Sequence, residues 1–171
     1  TQAAQQYASQ LLNPESRFEI GDSQNTTEWG HKINGGRSKG RNGNREIIIT
    51  DVENDSEFQT LYRNVLNTMG VKEGETLMGH VKGDLLEAIF NAVEQNVADN
   101  EPLWDLHSFQ NKPVLLGQAI KYGGVCRHMG LVTAALLEQM TQKGLLKGQV
   151  YYVRSNNHGW AVYRSTTNHF Y

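Results

Sequence analysis

A run of apolar residues between Arg127 and Lys143 leaves this chain few ways to fold. Met129, Val132, Leu136 and Met140 recur there at helical spacing, and Leu131, Ala134, Ala135 and Leu137 widen the stripe. A helix apolar around most of its circumference has to be covered on most sides. Gly144 marks its end. Two strand-like segments follow at once, GQVYYVR and HGWAVYR, joined by the turn-forming group SNN. STTN is a second turn, and HFY begins a third strand. The reading is an α+β fold, with the helix packed on an antiparallel sheet that includes strands at 149–154 and 158–164.

The upstream sequence reads differently. The first 46 residues are polar and irregular, and form a polar, partly mobile N-terminal segment ahead of a core at 47–171. Within that segment, GHKINGGRSKGRNGNR interleaves glycines with Lys32, Arg37, Lys39, Arg41 and Arg45. It lacks the Gly-Lys-Ser/Thr ending of a phosphate-binding loop and reads as a mobile, solvated loop. EIIITDV is a short β-branched strand. In DSEFQTLYRNVLNTMG, Asp55 or Ser56 can cap a helix that buries Phe58, Leu61, Tyr62, Val65 and Leu66, and Gly70 stops it. GDLLEAIFNAVEQNV is a second amphipathic helix, with Leu85, Leu86, Ile89, Phe90, Val93 and Val97 on one side.

The 171 residues suit one domain. A net charge of −2 does not point to nucleic acid or an anionic membrane as the main partner. No apolar run approaches the ~20 residues that span a bilayer. The start, TQAAQQYASQLL, has neither an initiator Met nor a signal-peptide stretch and reads as a fragment. The Asn25–Thr27 triplet matches a glycosylation acceptor, but nothing else indicates secretion. A single cysteine excludes an intramolecular disulfide. It fits a reducing compartment such as the cytoplasm, or an exported protein acting inside another cell's cytosol.

That cysteine, Cys126, follows Gly123 and Gly124 and opens the central helix. The N–H groups at a helix start stabilise a thiolate, which is the form that attacks. They also suit the oxyanion of a tetrahedral intermediate. The alternative is a small buried residue at a tight helix entry. A catalytic thiol needs a base, and His158 stands 32 residues on, at the opening of a strand. Alternation puts His158, Trp160 and Val162 on one face, where His158 is either a base or a satisfied core histidine.

Gly124-Val125-Cys126-Arg127 opening an Ala/Leu-rich helix, then a strand, a turn and His158-Gly159-Trp160, resembles the core of the transglutaminase-like superfamily, within the papain-like group. The resemblance covers 113–171, with Gly159 in place of the common Ala, a mild change. It implies a Cys126–His158 acyl-transfer enzyme acting on a carboxamide, above all the glutamine side chain of a protein substrate, by crosslinking or deamidation. A thiol protease is the second reading, and an inactive binding module that retains the fold is the third. The family's orienting Asp falls on the strand after His158, which places it a few residues beyond Tyr171. Asn168 is the nearest substitute in the chain, and Asp105 lies out of order. Gln118, eight residues before Cys126, is a candidate for the oxyanion hole. Cys126, His128 and a distant His make a poor zinc set. No metal, organic cofactor, nucleic acid or membrane enters the reading. Trp160 either walls a substrate channel or packs in the core.

Overall fold

The computed structural model describes residues 13–20, 26–27, 30–39, 46–97, 112–154, 158–167 and 169–171. Asn25, residues 40–45, Asp105 and Asn168 lie outside these, so the readings placed on them stay with the sequence. Over the described residues the chain is a mixed α+β protein with four α-helices and small sheets. The strands are β1 (Thr26–Thr27), β2 (Gly30–His31), β3 (Arg37–Lys39), β4 (Ile47–Ile49), β5 (Pro113–Leu115), β6 (Gly148–Arg154) and β7 (Gly159–Ser165). The helices are α1 (Ser56–Met69), α2 (Gly79–Asn96), α3 (Gly117–Tyr122) and α4 (Cys126–Gln142).

β4 carries three consecutive isoleucines because both of its faces are covered: Ile48 and Ile49 have no exposed surface. It pairs antiparallel with β3, Ser38 opposite Ile48, and parallel with β5, Ile48 opposite Val114. The stretch that reads as irregular therefore contributes β3, and it also places Ile20 and Ile33 in the core. Arg37 is tied down rather than solvated. Its Nε donates to Glu19 at 2.9 Å and its Nη1 to the Pro14 carbonyl at 2.8 Å.

α1 follows its sequence closely. Asp55 caps it, accepting from the Phe58 N–H at 3.1 Å, and Gly70 closes it in the left-handed conformation. The other Asp55 oxygen accepts from the Gly117 N–H at 2.7 Å, so one buried carboxylate joins the starts of α1 and α3. Burial pushes its pKa up, and the two backbone N–H groups pull against that. Asp55→Ala removes a cap and leaves the Gly117 N–H without its acceptor. We expect a loss of about 2–4 kcal/mol in chemical denaturation. A cost below ~1 kcal/mol would show that the carboxylate joins nothing.

α4 is the central helix. Leu131, Val132, Ala134, Leu136 and Met140 are fully or almost fully buried, and it packs against β7, β6 and α2. From its outer side Glu138 accepts the N–H groups of Ile33 and Asn34 at 2.9 and 2.8 Å, pinning the N-terminal segment to the helix. β6 and β7 form an antiparallel hairpin from Gly148 opposite Ser165 to Arg154 opposite Gly159. The residues after the STTN turn return along β7, with Tyr171 and Tyr163 exchanging backbone hydrogen bonds at 2.9 and 3.1 Å. At the hairpin's other end, Arg154 donates to the Lys39 carbonyl at 3.0 Å and ties β6 to β3.

Candidate active site

Cys126 is the first residue of α4. α3 ends at Gly123, whose φ of 87° turns the chain as few other residues would, and Val125 is extended ahead of the helix. Cys126 is partly exposed, so it is not a residue sealed in the core. His158 stands directly before β7 and is exposed, which rules out the core-histidine alternative.

Two glycines bring these residues together. A Cβ on Gly130 would lie 2.9 Å from both the Gly159 carbonyl oxygen and the Trp160 Cα, so the backbones of α4 and β7 touch there. Cys126 is about one helical turn from that contact. His158 is the next residue along from Gly159, ~3.8 Å between Cα atoms. The two therefore open onto one cavity of about 270 Å³. α4 lines it with Cys126, Met129, Gly130 and Thr133, and β7 and the residue before it with His158 to Ala161. α2 closes the far side with Phe90, Val93 and Glu94. Among the described residues no hydrogen bond joins the Cys126 Sγ to the His158 ring, so the pair shares a wall without a closed contact.

His158 and Trp160 do share a face, as the alternation predicts. The His158 ring stacks on Trp160 with centroids 5.4 Å apart and planes 24° apart. Trp160 is 38% exposed, so it is a cavity wall that holds the imidazole rather than a core aromatic. Phe90 departs from its sequence reading. It is 59% exposed at the cavity rim, whereas Leu85, Ile89 and Val93 form the buried stripe of α2.

The Gly159 position also departs from expectation. A Cβ there would sit 2.5 Å from the Tyr152 hydroxyl and 3.3 Å from the Arg127 Cα, so Ala is not a mild change in this chain. The Tyr152 hydroxyl donates to the Arg127 carbonyl at 3.2 Å, linking β6 to the first turn of α4. We expect Gly159→Ala to cost about 1–3 kcal/mol, as overpacking does. The cost in the double variant with Tyr152→Phe should be less than the sum of the two singles, because both changes act on one contact. Strict additivity in thermal or chemical denaturation would count against this packing.

Gln118 falls on α3 and is not among the residues that line the cavity. His128 is no metal ligand, since both ring nitrogens are engaged: Nδ1 accepts from the Val125 N–H at 2.9 Å and Nε2 lies 2.6 Å from Glu46 Oε1. Among the described residues no cluster of His, Cys, Asp or Glu is placed to hold a metal ion. None of the described helices is long and apolar enough to cross a membrane.

Sequence reasoning missed the Glu46–His128 contact and the Gly130–Gly159 crossing. Gly130 did carry a signal, because a glycine inside a run of good helix formers usually has a packing reason. Glu46 carried none: nothing in its neighbourhood points to a histidine 82 residues away. Comparison with family models, curated proteins and solved structures gives no match to this chain.

Proposed function

We propose that this protein is a thiol acyltransferase or amidase of transglutaminase-like type, with Cys126 as nucleophile and His158 as base. The observation that carries the reading is the shared cavity. It joins a partly exposed thiol at a helix N-terminus to an exposed, ring-stacked imidazole. His158 takes the thiol proton as the thiolate attacks a carboxamide carbonyl. The Cys126 N–H, at the first position of α4, is the donor offered to the oxyanion that forms. Collapse of the tetrahedral intermediate breaks the C–N bond, and ammonia leaves with a proton from His158. The thioester on Cys126 is then resolved by water, giving an acid, or by an amine, giving a new amide.

The substrate is a glutamine side chain of a protein. Phe90 and Trp160 stand exposed at the cavity and offer an apolar approach for a chain carrying that side chain. Stacking on Trp160 gives His158 part of its orientation.

Hydroxylamine is the discriminating reagent. With a glutamine-containing protein it should capture the thioester as a side-chain hydroxamate. Cleaved backbone, with hydroxamate at the new C-terminus and none on the glutamine side chain, would make the protein a thiol protease. Tight binding of the glutamine protein with neither product would make it a binding module.

A further inference from the structure

The geometry points to Glu46 and His128 as positioning residues that hold the backbone directly before Cys126. This rests on the proposed role of Cys126 and extends it to two buried groups outside the cavity. His128 has no exposed surface and Glu46 is 1% exposed, so neither touches a substrate. The Val125 amide always carries its proton, so the His128 Nδ1 that faces it at 2.9 Å can only accept. The ring proton is therefore on Nε2, and it donates to Glu46 Oε1 at 2.6 Å. The Arg127 guanidinium pairs with the same carboxylate oxygen.

The result is a buried relay from carboxylate to imidazole to backbone N–H. It uses the arrangement by which enzymes fix a catalytic histidine, but its accepting nitrogen is spent on the main chain. That removes His128 as a rival base, although it lies two residues from the thiol. It also fixes the entry to α4. Val125 has no side-chain acceptor to offer, so the cap is made in reverse, by His128 in the first turn reaching back to the Val125 N–H. The ring presses on the chain so closely that a Cβ on Gly124 would lie 2.7 Å from its Cγ and Nδ1. The direction of Sγ and of the first helical N–H groups thus depends on this ring.

The test compares two isosteric replacements, His128→Asn and His128→Leu. The Asn Oδ1 occupies the place of Nδ1 and can still accept the Val125 N–H, whereas Leu has the same shape and no acceptor. Both lose the link to Glu46. The readout is the rate constant for alkylation of Cys126 by iodoacetamide across pH, on folded protein well below its melting temperature. We expect His128→Asn to stay within about 3-fold of wild type and His128→Leu to fall at least ~10-fold, a difference of one hydrogen bond. Glu46→Gln, which keeps an acceptor for Nε2–H, should slow alkylation by less than His128→Leu. Equal rates for the Asn and Leu variants would overturn the proposal. So would a Leu variant that fails to fold while the Asn variant folds and reacts as wild type, since the bond would then be structural only. If neither variant folds, the Glu46→Gln rate decides, and an unchanged rate counts against the relay. The nucleophile reading fails separately, if wild-type Cys126 reacts no faster than the thiol of an unstructured peptide.

Discussion

Cys126→Ala should abolish ammonia release from a glutamine-containing protein, by at least ~1,000-fold, and leave the fold intact. Cys126 is partly exposed at the wall of a cavity, so removing its sulfur creates no buried void and little change in stability is expected. His158→Ala should cost nearly as much activity. A nucleophile and its base act as one unit, so removing either removes most of the effect of both. Trp160→Ala should lower kcat less, because it takes away the ring on which His158 stacks and not the base itself. Enzyme-coupled ammonia detection reads all three, with circular dichroism to confirm folding. If His158→Ala retains more than about a tenth of the wild-type rate, the base is another group and the dyad is wrong.

Glu46→Ala has the largest expected effect on stability. It takes the anion from the buried Arg127 guanidinium and the acceptor from His128 Nε2–H in one step. Removing one partner of a buried ion pair typically costs about 3–5 kcal/mol. For a chain of this size that lowers Tm by roughly 6–20 °C. Glu46→Gln, which keeps an oxygen for the imidazole, should cost distinctly less. A calorimetric shift under ~2 °C for Glu46→Ala would mean that water or another side chain satisfies Arg127 and His128, and that the relay carries little energy.

Much of the site was legible because its parts are local in sequence. α4 announces itself by its apolar spacing, and its start is set by Gly123, Gly124 and the extended Val125, so Cys126 at the first helical position follows from about five residues. β6 starts one residue before the strand read at 149–154, and β7 is the strand read at 158–164 shifted by one residue. The helix–hairpin order then brings the strand opening back to the helix start. Two things were hidden for physical reasons. β3 is three residues long, and its partner β4 is what makes it a strand, so no local pattern marks it. Burial on α2 depends on what lies opposite. Phe90 repeats the apolar spacing of Leu86 and Val93, yet it stays exposed, at the rim of a cavity instead of against a neighbour. The relay beneath Cys126 spans 82 residues and needs the folded chain to exist at all.

The most direct measurement is the acyl-enzyme itself. A glutamine-containing peptide is mixed with the protein, quenched in acid within the first turnover, and the digest is read by mass spectrometry. The account predicts a peptide containing Cys126 heavier by the substrate less one ammonia. That adduct should be sensitive to hydroxylamine and absent from Cys126→Ala. A substrate turned over with no adduct on Cys126, or with the same yield of product from Cys126→Ala, contradicts it.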